Sequence, residues 1–358
     1  MIFFDCTKVS KIRLSCGLSR VSEKLRHELA RLAGENVAEV YWDSRRTEVR
    51  RLADKSTVEM SAKDVFLTPE LFDENERPGF GEFVRQTPAR TVAIFHDAIP
   101  LRHPDISGSA SVARHPQYMK LLARFSTILT VSEASAVDLA EYWDWLRIGK
   151  PPEMHSLHLG ADFANRARVL PSHLPNWAER KQVLLLGTLE PRKNQMLALE
   201  VFSFLWKQSF DGELAVVGAV ADYGGAEIRQ RIKKLVKSGF PITYHGEVTD
   251  EELVDLYTES RCALLPSLAE GCGLPLLESL WMGVPVIANN LPSLQESAAG
   301  GGCHLLDCHS ADVLGEGLLG IWQEGSFWER LSLEVEKRDL PTWEGTAKAL
   351  FRILEKSP

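Results

Sequence analysis

The chain has 358 residues, of which 44% are hydrophobic and 25% are charged, and its 41 Lys+Arg against 49 Asp+Glu give a net charge of −8. This composition is typical of a folded globular protein and excludes a disordered or fibrous chain. At roughly 150 residues per domain, the length predicts two domains, each able to bury a core. The acidic balance argues against a nucleic-acid partner.

We expect a cytoplasmic protein, with peripheral membrane contact left open. No run approaches the roughly 18 to 20 uninterrupted apolar residues of a membrane span. The N-terminus also has no charged start followed by a long apolar run.

Short apolar runs rich in β-branched residues alternate with amphipathic stretches along the chain, which is typical of strands joined by crossover helices in a parallel sheet. In the first half, the predicted strands lie at residues 1–5, 37–42, 64–67, 90–95, 127–131 and 153–158. The predicted helices there lie at residues 18–32, around 117–125 and at 133–142.

A polar, proline-containing stretch after Asp162 interrupts this alternation and is the predicted linker. The pattern then restarts, with strands at 182–187, 213–218, 241–245, 262–266, 284–288 and 303–306, and helices at 193–208, 225–237, 250–259 and 275–282. The fold class is therefore predicted to be α/β, with two Rossmann-like domains facing a cleft. The predicted bounds are 1–165 and 166–340, followed by a closing segment at 341–358.

The six cysteines are scattered without a C-x-x-C pair, so we expect reduced thiols and neither a disulfide framework nor a zinc knuckle. The segment from Cys303 to His309 does hold several metal-ligating residue types. Neighbouring residues of a strand point to opposite faces, so these side chains cannot all converge if the segment is extended. We therefore predict no metal site.

In open parallel sheets, ligands bind at the carboxyl ends of the strands, so the residues after each predicted strand are candidates for function. Three segments qualify: His96-Asp97, residues 188–194 and residues 267–273. The last is the strongest signal, because it opens the run SLAEGCGLPLLES, in which Glu270 and Glu278 are separated by seven residues.

The residues between these two glutamates favour a phosphate ligand. Gly271 and Gly273 allow the backbone to approach a ligand closely, and Pro275 suits a helix start, where no amide donor is needed. The amides of Cys272, Gly273 and Leu274 would then point out of a helix N-terminus, which attracts phosphate. The two carboxylates would reach hydroxyls on either side of it.

This segment resembles the signature of retaining glycosyltransferases of family 4, two-domain enzymes of the glycosyltransferase-B fold. In that family, two glutamates with this separation hold the donor sugar and the ribose, roles that the resemblance implies for Glu270 and Glu278. The resemblance runs nearly the whole chain. Its other parts are the first glycine loop (Gly17 to Val21), a strand-to-helix turn (131–135), the motif closing the first domain (159–162) and the C-terminal helix from Thr342 onward, which in this fold crosses back to the N-terminal domain. The resemblance also implies donor-binding roles for Gly17 and for the strand-end Gly187.

Arg192 and Lys193 are similar to the family's basic residues for the donor diphosphate, and two cations suit a doubly charged leaving group. The helix macrodipole disfavours cations at a helix start, and a nearby anion would relieve that conflict. The chain departs from the family after the strand-end glycine, Gly187, where many members carry an arginine and this chain has Thr188. Arg192 is the residue that could compensate.

His96 resembles the family's histidine on the acceptor side of the sugar; the alternative is a hydrogen-bonded turn residue. Whether it orients a donor hydroxyl, carries a proton or shapes the pocket stays open. Cys272 stands where the family often has an aromatic residue. A cysteine beside a helix N-terminus could have a lowered thiol pKa, yet we assign the useful role to its backbone amide and do not interpret it as a nucleophile.

The resemblance implies transfer of a hexose from a nucleotide diphosphate sugar to an acceptor hydroxyl, with retention at the anomeric carbon. Arg192, Lys193 and the turn amides would meet the charge of the leaving diphosphate, and Glu270 would hold the hydroxyls of an oxocarbenium-like sugar. The resemblance further implies that the leaving phosphate takes the acceptor proton. No two aspartates lie two apart, so an Asp-x-Asp metal clamp is absent, and we expect no metal and no cofactor beyond the donor as co-substrate. The predicted catalytic residues are therefore His96, Arg192, Lys193 and Glu270.

The runs around Lys193 and His96 look most like bacterial mannosyl or deoxyhexosyl transferases of surface polysaccharides. We therefore favour GDP-mannose as donor and a glycan or lipid-linked acceptor. A UDP or dTDP sugar donor, a sugar-nucleotide epimerase, a pyridoxal-phosphate phosphorylase and a catalytically silent sugar-nucleotide-binding partner are the alternatives; the phosphorylase has no recognisable lysine context.

Overall fold

The computed structural model describes residues 1–10 and 17–355. It divides into two compact units: unit 1 is Met1–Arg102, Ser109–Gly160 and Pro341–Pro358, and unit 2 is His103–Gly108 and Ala161–Leu340. Cys16 lies outside the described residues, and the other five cysteines are free thiols. Among the helices of the described residues, none is both long and apolar enough to cross a membrane.

Unit 1 is built on a seven-stranded sheet. Its strands are β1 (Ile2–Asp5), β2 (Val37–Asp43), β3 (Glu48–Arg51), β4 (Val65–Thr68), β5 (Arg90–Phe95), β6 (Thr127–Thr130) and β7 (Glu153–Ser156). Its helices are α1 (Gly17–Ala33), α2 (Phe80–Gln86), α3 (Ile99–Arg102), α4 (Ser109–Leu122), α5 (Glu133–Trp145) and the C-terminal helix, numbered α13 in chain order (Trp343–Glu355). The strand order is β3-β2-β1-β4-β5-β6-β7, and β3 pairs antiparallel with β2 while the other neighbours are parallel.

Every residue of β1, β4 and β6 is buried, which is why these strands read as uninterrupted apolar runs: helices cover both faces of a parallel sheet. A cluster of aromatic side chains fills one of these faces. Phe80 of α2 makes edge-to-face contacts with Trp42, Phe66 and Phe72, at ring-centroid distances of 5.3, 5.9 and 4.9 Å. The cluster holds α2 against the sheet.

Unit 2 is built on a six-stranded, fully parallel sheet. Its strands are β8 (Gln182–Leu186), β9 (Glu213–Val217), β10 (Ile242–Gly246), β11 (Ser260–Leu265), β12 (Val286–Asn289) and β13 (Cys303–Leu306). Its helices are α6 (Gln195–Lys207), α7 (Gly225–Lys237), α8 (Asp250–Glu259), α9 (Leu274–Trp281), α10 (Pro292–Ala298), α11 (Ala311–Gln323) and α12 (Gly325–Lys337). The strand order is β10-β9-β8-β11-β12-β13.

Both sheets have a topological switch point, the place where the chain turns from building one side of a sheet to building the other. In unit 1 the switch lies between β1 and β4, and in unit 2 it lies between β8 and β11. Loops leaving two such neighbouring strands diverge in opposite directions and leave a crevice at the carboxyl edge. Ligand-binding side chains are therefore expected at these two places.

The predicted α/β class and the two Rossmann-like units are confirmed. The predicted linker after Asp162 is wrong, because the segment packs against unit 2. Phe163 is buried there, Trp177 stacks on Trp328 at 5.8 Å, and Arg180 donates to the Ser260 carbonyl at 2.5 Å. The polar, proline-containing composition correctly predicted irregular backbone. The segment is nevertheless anchored to unit 2 by side chains spaced along its length.

Several elements were not predicted, namely β3, α2, α3, α10, α11 and α12. Helix α4 also begins at Ser109, well before the predicted helix around 117–125, and contains Pro116. A proline within a helix removes one backbone hydrogen bond and normally signals a helix end. Here the burial of Tyr118, Met119 and Leu122 keeps the helix in place.

Candidate functional site

The switch point of unit 2 carries a cluster of ionised side chains. The loop after β8 supplies Arg192 and Lys193 from a 3₁₀ turn, Pro191–Lys193, and the loop after β11 supplies Glu270. The two loops are joined directly, because the Leu268 amide donates to the Arg192 carbonyl at 2.8 Å. The structure thus brings together three of the four predicted catalytic residues.

Glu270 lies between the two cations. Its Oε1 is 2.5 Å from Lys193 Nζ and its Oε2 is 3.2 Å from the Arg192 guanidinium. Arg192 also pairs with Glu190 at 2.6 Å and donates to the Ala269 carbonyl at 3.2 Å. The side chains of Glu270 and Lys193 are 7% and 12% exposed, whereas that of Arg192 is 23% exposed. The carboxylate is therefore enclosed, and its cationic partners reach the surface.

Burial alone would raise the pKa of Glu270, but the charges of Lys193 and Arg192, together with hydrogen bonds from Lys193 and Ser267, outweigh it and hold that pKa at about 2. Burial lowers the pKa of Lys193, and the Glu270 carboxylate opposes this fall. At neutral pH the site holds an ionised carboxylate beside two cations. A ligand with phosphate oxygens and hydroxyls suits this arrangement.

Gly187 follows β8 and lies beneath the Lys193 side chain. Its φ is 143°, a backbone conformation that other residues rarely adopt. A Cβ on Gly187 would lie 3.4 Å from the Lys193 side-chain carbons, an ordinary van der Waals contact. The backbone conformation, and not crowding by the lysine, therefore favours glycine at this strand end.

The turn from Gly271 to Leu274 leads into α9. Gly273 is its N-cap with φ 80°, and Pro275 occupies the first turn of the helix, as predicted. Glu278 lies one turn further along α9 and is buried. Its role toward a ribose stays a prediction, as do the donor-binding roles of the turn amides.

The suggestion that the Cys272 thiol could have a lowered pKa is wrong. Burial raises the pKa of Cys272 to about 12, and the hydrogen bond with Ser297 offsets only part of that rise. Its Sγ lies 3.7 Å from Ser297 Oγ and near the apolar residues around Leu294. The thiol is therefore protonated at neutral pH and is not an activated nucleophile.

His96 lies in unit 1, directly after β5, and is buried. Its Nε2 is 2.8 Å from the Pro69 carbonyl oxygen, which can only accept, so Nε2 carries the hydrogen. Burial lowers the pKa of His96. The ring is thus neutral, with Nδ1 as an acceptor. This geometry fits both an orienting role and the hydrogen-bonded turn residue that was the alternative.

Gly17 is the first residue of α1 in unit 1 and is exposed. A Cβ on it would have no heavy atom of the described residues within 4 Å. The packing of residues 17–355 therefore does not require a glycine at this position. Its predicted role in donor binding stays a prediction.

The cysteine and histidine side chains around β13 have separate partners. His304 packs edge-on against Phe327 at 4.9 Å, Cys303 interacts with Arg338, and Cys308 is buried in the core. In the part of the chain that the structure describes, no three His, Cys, Asp or Glu side chains group closely enough to hold a metal ion.

Sequence reasoning missed a second cluster, at the switch point of unit 1. Asp5 ends β1, and Arg77 donates to it at 2.6 Å and also to Glu70, which follows β4. Glu70 further accepts from the amides of Lys8 and Val9 at 2.7 and 2.9 Å. The rule that ligands bind after the carboxyl ends of strands pointed to His96 and could also have pointed to Asp5 and Glu70. Arg77 does not directly follow a strand, so the rule could not have found it.

Comparisons with known proteins agree with this fold. A serotype-specific mannosyltransferase of Escherichia coli is 25% identical over 331 residues, which cover 83% of this chain and 38% of that protein. The O-antigen chain mannosyltransferase B of Escherichia coli is 30% identical over 166 residues, which cover 46% of this chain and 40% of that protein. The matched part thus spans about two fifths of the length of these curated relatives.

Among solved structures, the sucrose-phosphate synthase of Thermosynechococcus elongatus superimposes with a TM-score of 0.73 at 17% identity, covering 98% of this chain and 97% of that one. This likeness shows the fold, which is the glycosyltransferase-B fold that the resemblance implied. Residues 173–333, which lie within unit 2 and contain the Glu270 cluster, match the family model of glycosyl transferases group 1. This match covers less than half of the chain, and over those residues the chain is similar to the group 1 glycosyl transferases.

Proposed function

We propose that this protein is a retaining hexosyltransferase of surface polysaccharide synthesis, which moves mannose from GDP-mannose to a glycan or lipid-linked acceptor. The observation that carries the proposal is the Glu270–Lys193–Arg192 cluster at the switch point of unit 2, followed at once by a glycine turn and a helix start. The mannosyltransferase names of both relatives support mannose as the sugar.

In this proposal Lys193 binds the donor diphosphate. An ammonium group has three N–H donors, so pairing with Glu270 leaves capacity for phosphate oxygens. The lysine is mostly enclosed, and a charge in a site of low dielectric stabilises a developing anion more strongly than in water. As the bond to the sugar breaks, Lys193 and the amides of the turn would stabilise the leaving diphosphate.

Glu270 then holds the sugar. A carboxylate with a pKa of about 2 stays ionised throughout the physiological range and accepts hydrogen bonds from sugar hydroxyls. It would fix the ring while positive charge develops at the anomeric carbon. Its negative charge favours that oxocarbenium-like state.

Arg192 acts on Glu270 and on the diphosphate side of the site. Glu190, Glu270 and the Ala269 carbonyl hold its guanidinium in one orientation, so it needs little reorganisation when the ligand arrives. The two preorganised cations supply the positive charge that a metal ion would otherwise provide to the leaving diphosphate. We therefore propose transfer without a metal. His96, neutral with Nδ1 as acceptor, would accept a hydrogen bond from a ligand hydroxyl at the carboxyl edge of the unit 1 sheet.

The proposal is tested by a thermal-shift titration of the full chain against GDP, UDP, dTDP, ADP and their common sugar conjugates. A ligand at a hundredfold excess over its dissociation constant adds about 2.7 kcal/mol, which corresponds to a rise of roughly 5 to 10 °C in Tm. A selective response to GDP and GDP-mannose is expected. A selective response to UDP or dTDP would show that the donor is a UDP or dTDP sugar, and the proposed transferase activity would stand.

A transfer assay with the selected donor then separates the enzyme from a silent binding partner. Retention is read from the anomeric configuration of the product. If no nucleoside diphosphate shifts the melting curve, the donor-site roles of Glu270, Glu278 and Lys193 are refuted. Binding without transfer to any glycan or lipid-linked acceptor would favour the silent partner.

A further inference from the structure

Three side chains outside the sequence motifs contact the loop that contains Glu270 and the glycine turn (Gly271 to Leu274). Asn289 is the last residue of β12, and Ser293 and Ser297 follow it at intervals of four residues along α10. All three are buried. A spacing of four places side chains on one face of a helix, one turn above the other.

Each of these side chains donates a hydrogen bond to a carbonyl of the loop that follows β11. The acceptors, in the same order along the chain, are the carbonyl oxygens of Ser267 at 2.8 Å, Glu270 at 2.6 Å and Cys272 at 2.6 Å. We call these three donors the carbonyl ladder. The ladder runs along the whole segment that contains Glu270 and the glycine turn.

The ladder decides which way the peptide planes of the turn face. In a trans peptide the N–H points opposite to the C=O of the same plane. With the Glu270 and Cys272 carbonyls directed at α10, the N–H groups of Gly271 and Gly273 are directed away from α10. Glycines leave these planes free to rotate in the absence of another restraint, so the serine hydroxyls supply the restraint.

The ladder is itself anchored at both ends. The Asn289 side-chain oxygen accepts from the Cys308 amide at 3.0 Å. At the other end, the Ser297 carbonyl accepts from the Arg338 guanidinium at 2.5 Å. Because these groups are held in place, the hydrogen bonds that they donate fix the orientation of the turn. Hydrogen bonds to metal-ligating side chains fix the orientation of those ligands in the same way.

We propose that Asn289, Ser293 and Ser297 are positioning residues, which hold the Glu270 carboxylate and the amides of the glycine turn in the orientation that binds the donor diphosphate. This inference rests on the proposed function. It predicts that removal of the two hydroxyls weakens donor binding although neither hydroxyl is assigned a contact with the donor.

The test uses the double variant Ser293→Ala/Ser297→Ala in the full chain, with GDP and UDP as probes in isothermal titration calorimetry. The dissociation constant of the nucleotide that binds wild-type protein is expected to rise about 10- to 100-fold, as misplacement of binding groups by a fraction of an ångström does. In transfer assays the KM for the donor rises and the KM for the acceptor does not. Ser297→Thr, which keeps a hydroxyl, restores binding to within about threefold of wild type.

Ser260→Ala is the matched control. Ser260 is buried at the opposite end of β11 and donates in the same way to the Leu256 carbonyl at 2.6 Å. Ser260 Oγ also accepts from Gln182 Nε2 at 2.9 Å, as Ser297 Oγ also lies 3.7 Å from Cys272 Sγ. Its loss is therefore expected to lower Tm by an amount similar to the loss of Ser297, because each removes two polar contacts, and to leave the dissociation constant unchanged.

The outcomes separate the two proposals. Wild-type protein that binds no nucleoside diphosphate overturns the proposed function, and the positioning role falls with it. Wild-type protein that binds, with a double variant that binds equally well, overturns the positioning role alone. An equal loss of binding in Ser260→Ala would trace the effect to general destabilisation and also overturn it. If the double variant does not fold, Ser297→Ala alone decides between these outcomes.

Discussion

The switch points of the two units carry ionised clusters in which the ratio of carboxylates to cations is reversed. In unit 1, Asp5 and Glu70 share a single arginine, Arg77, and the two side chains of its pair with Asp5 are 1% and 0% exposed. In unit 2, Glu270 has two cations, both of which reach the surface. The same position in two similar sheets is thus sealed in one unit and accessible in the other.

The two clusters differ in how their charged groups are partnered and in how far they are exposed. In the unit 1 cluster, the carboxylate oxygens accept hydrogen bonds from groups of the protein itself, namely Arg77, Thr68 and the amides of Lys8 and Val9. This cluster holds the loop after β1 in place. In the unit 2 cluster, the side chains of Arg192 and Lys193 keep 23% and 12% exposure, and under the proposed function they bind the diphosphate. Perturbed pKa values therefore do not identify an active site unless exposure and charge balance are also considered.

The largest expected effect comes from breaking the sealed cluster. Arg77→Met leaves two buried carboxylates without their cation and should cost about 3 to 5 kcal/mol in the free energy of unfolding. Urea unfolding, followed by tryptophan fluorescence, measures it. Arg85→Met, which removes an arginine that is 67% exposed and paired with Glu82, is the control and should change little. Equal effects in both variants would show that burial is not the cause.

Breaking the accessible cluster should affect function more than stability. Lys193→Ala is expected to lower kcat/KM with the preferred donor about 10²- to 10³-fold, which is typical for the loss of one preorganised group that stabilises a leaving anion. Glu270 keeps Arg192 as a partner, so the fold should persist. Lys207→Ala, at an exposed position on α6, is the control. Unchanged transfer by Lys193→Ala would contradict its role.

The two clusters should also respond to pH with opposite signs. Burial and the nearby Asp5 charge raise the pKa of Glu70 to about 7. The folded protein then binds a proton that the unfolded chain has lost, so stability falls as pH rises from about 5 to 8, by about 1 to 3 kcal/mol. Glu70→Gln should flatten this slope in urea titrations at several pH values. An unchanged slope would refute the assignment.

For Glu270 the sign is reversed. Its folded-state pKa of about 2 lies below the ordinary value of 4.5, so its contribution is fully present above that ordinary value and is lost as pH falls toward 2. Between pH 5 and 8 it should contribute no slope. The comparison of Glu70→Gln with Glu270→Gln in that range therefore distinguishes the sealed from the accessible cluster.

The smallest effect is expected for Cys272→Ala. Its thiol is protonated at neutral pH and lies beside the turn, whose amides the substitution leaves in place. Transfer activity should stay within a few-fold of wild type. A loss beyond about a hundredfold would show that the thiol takes part in the reaction.

Motif reasoning predicted that Arg192, Lys193 and Glu270 lie near one another because each follows the carboxyl end of a predicted strand. Glu270, the glycines and Pro275 form one run, so local spacing also predicted the turn and the helix start. The ladder serines lie twenty or more residues further on. Only the parallel pairing of β11 with β12 brings α10 beside the turn.

Helix α2 shows the same limit in the fold. Its seven residues carry little local signal, and Phe80 becomes helical because three aromatic side chains from elsewhere in the chain surround it. Likewise, Arg77 has no local indication of its two distant carboxylates.

The sequence by itself determined the α/β class, most of the alternation of strands and helices along the chain and the run that carries Glu270, because periodicity, glycines and helix starts are local properties of the backbone. Tertiary structure decided which charges are sealed and which reach the surface, and which hydroxyls hold the turn. Burial and hydrogen-bond partners depend on residues distant in sequence, and the free energy of an ionised group depends on both.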